Sequence, residues 1–235
     1  MASSVPAMLS VVIPTLDAER TLAATLAALV PAAVAGLVRD VVIADGGSTD
    51  ATLAIADAAG CAVVEAPKGR GAQLAAGAGA AKCGWLLFLH ADTVLEEDWI
   101  QAAQRFIASA EAGSGGQAAA FRFALNADGV AARLLERFVA LRSHVFAMPY
   151  GDQGLVISRA LYDALGGFQP LEIMEDVHLV RRIGRKRLRM LPARAVTGAA
   201  RYRRHGILLR GARNLACLSL YFLRVPPRII ARLYG

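Results

Sequence analysis

The stretch that most constrains this chain is Trp85-Leu86-Leu87-Phe88-Leu89-His90-Ala91-Asp92-Thr93, in which five apolar residues run into a His-Ala-Asp tripeptide. A short, unbroken apolar run marks a strand buried on both faces, as in a parallel sheet covered by helices. Polar residues just past the carboxyl end of such a strand stand where open α/β sheets bind their ligands. His90 and Asp92 are therefore the first candidates for a metal or phosphate site.

Upstream, the same pattern recurs three times. Residues 9–13 are largely β-branched and end at Pro14, which predicts a first strand. Asp17 is placed to cap a helix over 18–29. Residues 41–44 predict a second strand that ends in Asp45-Gly46-Gly47-Ser48-Thr49-Asp50, where the glycines permit a tight turn and Ser48 or Asp50 caps a helix over 51–59. A third short strand covers 61–66, followed by the basic glycine loop Lys68-Gly69-Arg70-Gly71 and a small-residue helix over 72–81. Four strands alternating with helices predict an α/β fold with a mostly parallel central sheet and right-handed crossovers.

The pattern changes after Gly113-Ser114-Gly115-Gly116. Residues 118–125 predict a strand with Phe121, Phe123 and Leu125 on one face, and 131–146 a helix. The turn Gly151-Asp152-Gln153-Gly154 precedes a strand over 155–158, and a helix over 159–165 is closed by Gly166-Gly167. Glu175-Asp176 opens a helix running to 183. Residues 188–191 predict an edge strand before Pro192. A main domain over 1–205 is followed by an amphipathic helical tail over 206–235, with its helix at 207–223. Arg210, Arg213, Asn214, Tyr221 and Arg224 leave a narrow polar stripe on a wide apolar surface. That surface suits packing on the core, a membrane interface or a second subunit.

Charge narrows the field of partners. Only 19% of residues are charged, yet the net charge is +7, and the basic residues crowd into the last quarter. Such asymmetry points to a polyanionic partner or an anionic membrane surface, or simply to a solvated basic face. Nucleic acid is not expected, because no recognition motif accompanies the charge. Three widely spaced cysteines give no disulfide framework or zinc pattern, and no secretory signal is legible at 1–10, so the expected location is cytoplasmic, with peripheral attachment to the membrane left open. The uncharged run at 21–38 approaches the length of a membrane span, but its alanines, Pro31 and position after a strand favour a core-packed helix.

Asp17, Asp45 and Asp92 follow successive strands, and a parallel sheet brings such ends to one edge. Each alone reads equally well as a cap or a surface carboxylate. Together, clustered carboxylates repel, and a divalent cation relieves them. Oxygen ligands select Mg2+ or Mn2+. Arg70 in the glycine loop suits a phosphate. The constellation describes a site for a metal-bound diphosphate.

Four segments carry a resemblance. Val11-Val12-Ile13-Pro14-Thr15-Leu16-Asp17, Asp45-Gly46-Gly47-Ser48-Thr49-Asp50, Leu89-His90-Ala91-Asp92 and Glu175-Asp176 together resemble the family 2 glycosyltransferases of GT-A fold, in order and spacing, up to about residue 204. The blocks around Phe88-Leu89-His90-Ala91-Asp92-Thr93, Pro149-Tyr150-Gly151-Asp152-Gln153-Gly154 and Ile173-Met174-Glu175-Asp176 resemble a subgroup of small bacterial members. The resemblance implies an inverting transfer of a sugar from a nucleotide-diphosphate sugar, a UDP-sugar by default, to an acceptor hydroxyl. It implies that Pro14, Thr15, Asp17, Glu19, Asp45, Gly46, Arg70 and His90 line the nucleotide. Asp92 would hold the Mn2+ or Mg2+, with His205 as a further metal ligand or merely a surface histidine. Asp176 would be the general base beside Glu175. Asp152 and Gln153 would bind the acceptor or only form a capped turn. The acceptor would be unspecified, a lipid-linked one included, and the tail would serve membrane contact or a homodimer. The chain departs from the family pattern in three places: His90 replaces the first Asp of the Asp-X-Asp motif, Asp17-Ala18 stands for the usual Asn-Glu, and Asp45-Gly46 for Asp-Asp. Those departures keep a second reading in view, a catalytically impaired nucleotide-sugar-binding or membrane-associated protein.

Overall fold

Leu9–Thr15 (β1), Val38–Asp45 (β2), Ala62–Glu65 (β3) and Trp85–Phe88 (β4) run parallel in the order β3-β2-β1-β4, as the alternation predicts. The computed structural model describes residues 8–113, 117–198 and 206–234. All of β4 is buried because helices cover both faces of the sheet. Val11, Ile13 and Leu87 pack with Leu22, Leu26, Trp99 and Ile107 in one core, while Val12, Leu86 and Phe88 pack with Leu74, Ala78, Leu161 and Leu179 in another. The two-residue period of a strand divides neighbouring side chains between these cores.

The helix expected over 18–29 is shorter, Leu22–Ala27 (α1), and a second short helix, Val30–Val34 (α2), follows it. Pro31, in the first turn of α2, cannot donate to residue 27 and its ring excludes that carbonyl, so one helix cannot run through. Asp17 caps neither; its own backbone is left-handed at φ +50°. Thr52–Ala58 (α3) and Arg70–Ala80 (α4) follow. Helix α4 starts two residues earlier than the glycines suggest, taking Arg70 and Gly71 into its first turn. Gly71 is required there, since a Cβ would come within 2.2 Å of the Gln169 carbonyl.

Beyond β4 come Thr93–Leu95 (β5), Trp99–Ala112 (α5), Ala118–Leu125 (β6), Val130–Phe146 (α6), a 3-10 turn at Gly151–Gln153, Leu155–Ser158 (β7), Arg159–Ala164 (α7), Glu175–Ile183 (α8), Leu188–Thr197 (β8), Ile207–Phe222 (α9) and Pro227–Tyr234 (α10). The described sheet has the order β3-β2-β1-β4-β7-β6-β8-β5, with β7 and β5 antiparallel to their neighbours. Strand β8 is not an edge strand ending at Pro192. It continues through the proline and lies between β6 and β5. The β6–β8 register slips between Ala120 and Arg122, and such a bulge accommodates a residue with no N–H to give.

Neither β5 nor α5 is among the sequence expectations, although Trp99, Ala102, Ala103, Phe106, Ile107 and Ala110 mark a buried helical face at spacings of three and four. Nor is α10, which begins at Pro227, where a proline is tolerated in a first turn. Among the described residues no helix is long and apolar enough to cross a membrane. The tail packs on the start of α8: Cys217, Leu218 and Ile230 share a core with Met174 and Val177, and His178 Nδ1 hydrogen-bonds the Tyr221 hydroxyl at 2.9 Å.

Candidate active site

Pairing of β1 with β4 ends at Val12–Phe88, whereas pairing of β1 with β2 runs on to Thr15–Asp45. A crevice therefore opens at the carboxyl edge of the sheet between β1 and β4, where the strand order reverses direction. On its β2 side, Asp45 is 2% exposed. Its Oδ1 accepts from the Thr15 hydroxyl at 2.8 Å and the Ser48 hydroxyl at 2.5 Å, and its Oδ2 from the Gly47 and Ser48 amides at 2.9 and 2.7 Å. Burial pushes this carboxyl up, but the hydrogen bonds led by Ser48 outweigh it and hold the group below its ordinary value. All of this bonding capacity is spent inside the protein.

The loops after β1 and β2 are laced together. Asp17 N–H donates to Ser48 Oγ and Asp17 Oδ1 accepts from Thr49 N–H, both at 2.9 Å. Glu19 N–H donates to Asp50 at 3.0 Å, and Glu19 Oε2 accepts from Ala51 N–H at 3.2 Å. Gln73 donates to the Thr15 and Ala44 carbonyls at 2.6 and 2.9 Å, lying so close to Gly46 that a Cβ there would meet its Nε2 at 3.0 Å. Pro14, Thr15, Asp17, Glu19, Asp45 and Gly46 thus form one connected wall, apart from the residues of the cleft itself.

The cleft brings together Arg70, His90, Asp92, Asp152, Glu175 and Asp176, six of the sequence candidates drawn from four separate segments. Asp176 Oδ2 accepts the Gly151 amide at 2.7 Å. A Cβ on Gly151 would sit 2.6 Å from His90 Nε2 and 3.5 Å from Asp176 Oδ2, so the imidazole, the glycine backbone and the carboxylate are packed against one another. Met174 enters α8 in the left-handed conformation, φ +66°, its side chain buried in the core shared with the tail. Glu175 is directed inward, 3% exposed.

Burial, reinforced by neighbouring Asp176 and moderated by Arg70, pushes Glu175 up to about 7. Burial also pushes Asp152 up to about 6, with Asp176 and Asp92 adding to the effect and Arg142 and Arg70 opposing it. The Oδ1 atoms of Asp152 and of Asn214, which lines the same cleft, are buried without a hydrogen-bond partner among the described residues. Gln153 lies beneath, 1% exposed, its amide bonded to Ser143, Arg142, the Tyr150 N–H and the Phe121 carbonyl. Arg142 also stacks on Tyr150 at 3.4 Å. These contacts hold the 150–153 turn in place, so Gln153 reads as a support of the cleft floor.

Among the described residues no three His, Cys, Asp or Glu side chains are grouped to hold a metal ion on their own. A site that shares its ion with a diphosphate needs fewer, because Mg2+ in particular is commonly held by one or two carboxylates plus phosphate oxygens and waters. Asp92, lining a cleft that also gathers the Asp152 and Asp176 carboxylates, fits such a shared cation. His205 lies outside the described residues.

Tyr150, Thr197, Gly198 and Asn214 also line the cleft without having been assigned to it from sequence. Thr197 donates to the Asp152 carbonyl at 3.2 Å, and Gly198 N–H donates to the Asp92 carbonyl at 3.0 Å. Only Asn214 carried a signal, as the one amide in an otherwise apolar and basic tail helix.

Solved structures share this fold. Glucosyl-3-phosphoglycerate synthase from Mycobacterium tuberculosis, in complex with Mn2+, UDP and glucosyl-3-phosphoglycerate, matches with TM-score 0.56 and 23% identity over 82% of this chain and 70% of that one. S. aureus TarS 1–349 matches with TM-score 0.63 and 16% identity over 97% of this chain and 70% of that one. TarS in complex with UDP-GlcNAc matches with TM-score 0.61 and 19% identity over 81% and 58%. A mycobacterial protein matches with TM-score 0.56 and 24% identity, 82% of this chain aligning with 66% of its length. The chain thus spans between 58% and 70% of these proteins. No curated protein sequence matches it. The profile of glycosyl transferase family 2 matches residues 10–147, more than half of the chain. With the strand-end wall, the Arg70–Asp92–Asp176 cleft and this match in hand, the chain belongs to glycosyl transferase family 2 and is a glycosyltransferase built on the GT-A fold.

Proposed function

We propose that the protein transfers a sugar from a UDP-sugar to an acceptor hydroxyl with inversion at the anomeric carbon, aided by a divalent cation. The observation that carries this reading is Asp176, a cleft-lining carboxylate whose Oδ2 is fixed by the Gly151 amide at 2.7 Å, in the same cleft as the strand-end pair His90 and Asp92. An oriented carboxylate beside an acceptor hydroxyl is what base catalysis requires. Asp176 takes the hydroxyl proton as the acceptor oxygen bonds the anomeric carbon. The bond from that carbon to the diphosphate oxygen breaks on the opposite face, and the nucleoside diphosphate leaves with the electron pair. The Arg70 guanidinium faces the charge that develops on the leaving group.

Asp92, with His205, would hold the metal ion, which when bound neutralises charge on the diphosphate. Asp152, whose unpartnered Oδ1 points to a missing donor, is assigned to the acceptor. Glu175, pushed up to about 7, shapes the pocket around Asp176. Thr15, Asp17 and Asp45 form the nucleoside wall, with Asp45 acting through the loop it holds. The preference for uracil is supported by the UDP and UDP-GlcNAc of the solved family structures.

A thermal-shift series with UDP-, GDP- and dTDP-sugars, each with and without Mn2+, tests the reading. The UDP-sugar is expected to raise the melting temperature, and only with metal present. An equal rise without metal would remove the cation from the proposal, and an equal rise with the other nucleotides would remove the uracil preference.

A further inference from the structure

Helix α6 carries an apolar row that the described residues leave largely exposed. Val130, Leu134, Phe138, Leu141 and Val145 are between 44% and 77% exposed. At about 100° per residue they fall within roughly 80° of arc. The opposite face, Ala132 and Val139, is buried against Phe123 and Leu125. An exposed apolar row of this length marks an interaction surface.

Two features identify what it meets. First, the flank of the row is cationic. Arg133 and Arg137 border it and, with Arg122 and Arg194, line a cavity of about 420 Å³ between α6, β6 and β8. The one carboxylate in that lining, Glu136, is engaged with Arg133 and the Leu125 amide. Arg122 and Arg137 make no ion pair among the described residues. Second, the tail carries exposed apolar residues edged by arginines as well. Helix α9 packs beside α6, where a Cβ added to Gly211 would lie 3.8 Å from the Leu135 side chain. On the adjoining α10, Ile229 and Leu233 are exposed next to Arg228 and Arg232, with Ile230 buried as the anchor. After Asp176 the chain has fifteen Lys and Arg residues and no Asp or Glu.

We infer that α6 and the tail helices form one surface that docks on an anionic phospholipid leaflet, the apolar rows entering the interface and the Arg122–Arg137 cavity receiving a lipid phosphate. Apolar rows edged by arginines are the pattern of interfacial helices. A second copy of this chain fits the surface poorly, since it would bring the same uncompensated positive charge to the contact. The inference concerns where the protein sits and stands apart from the reaction proposed for the cleft.

Flotation of the full chain with phosphatidylcholine vesicles, with and without phosphatidylglycerol, reads it directly. Binding is expected only to the anionic vesicles and is expected to fall at high salt. Each cation near such a surface is worth roughly five-fold in partitioning, so Arg122→Gln with Arg137→Gln should lower binding about twenty-five-fold. Phe138→Glu with Leu141→Glu, at exposed positions and with the fold checked by circular dichroism, should lower it at least as much. Equal recovery on both vesicle types, or unchanged binding in both double variants, overturns the inference. So does a wild-type dimer in light scattering that Phe138→Glu with Leu141→Glu dissociates, because the face is then an interface between copies.

Discussion

Replacing Glu175 by Gln should make the protein more stable at alkaline pH, an unusual result for a residue inside a catalytic cleft. Glu175 is 3% exposed, beside Asp176, and its carboxyl is pushed from 4.5 up to about 7. Below about pH 4.5 the carboxyl is protonated in folded and unfolded chains alike, and the pH-dependent cost is absent. Between 4.5 and 7 the folded state binds more protons than the unfolded one, so stability falls as pH rises; above 7 the whole cost is present. At about 1.4 kcal/mol per pH unit the rise corresponds to roughly 3 kcal/mol at most. Glutamine keeps the shape and never ionises. Urea melts of the two proteins at pH 5 and pH 8, without donor or metal, should therefore show a pH-dependent difference of at most about 1 kcal/mol at pH 5, growing to about 3 kcal/mol in favour of the variant at pH 8. Asp152, pushed up to about 6 by burial and by Asp176 and Asp92, remains in both proteins and leaves each a residual slope of the same sign. Parallel pH profiles for the two proteins would refute the reasoning, because they would mean that Glu175 titrates alike in folded and unfolded chains.

Three further outcomes follow from the site. Asp176→Asn should lower kcat by about 10²–10⁴-fold while donor affinity by calorimetry stays within a factor of a few; a variant that turns over at the wild-type rate removes Asp176 as the base. Gly151→Ala places a Cβ 2.6 Å from His90 Nε2, which should cost about 1–3 kcal/mol in a denaturant melt through overpacking and lower turnover by displacing Asp176; unchanged stability and rate together would show that the contact yields freely. Asp45→Asn turns an amide nitrogen toward at least one donor among Thr15, Gly47 and Ser48 and should cost about 1–3 kcal/mol, with weaker nucleotide binding as the laced loops loosen. Equal stability and affinity would mean that this wall does not depend on the carboxylate.

Much of the first half of the fold is legible in the residues because its signals are local. Strand β4 is an unbroken apolar run, and β1 and β2 end in turn residues at the spacing of strand–helix units. Burial on both sides follows from covering a parallel sheet with helices. The second half is less legible because its pairings are not local. Strand β8 runs through Pro192 only because the register against β6 slips there, and β5 is three residues long and exists through its partner. Three residues carry too little periodicity to read.

The candidate site divides the same way. That Asp92 and Arg70 lie close was legible from motif order along a parallel sheet, and that Asp176 joins them was implied by the family resemblance. That Asp45 is consumed by four internal hydrogen bonds, that Gln153 is a buried brace and that Asn214 of the tail reaches the cleft was not. A side chain's type states what it can bond, and the sequence by itself determined that inventory together with the parallel half of the sheet. Which partner takes the bond is decided by segments distant in sequence that meet only when the chain closes. The exposure of the α6 row was decided there too: pattern alone marks the helix as amphipathic, but only packing shows which of its apolar faces the core leaves uncovered.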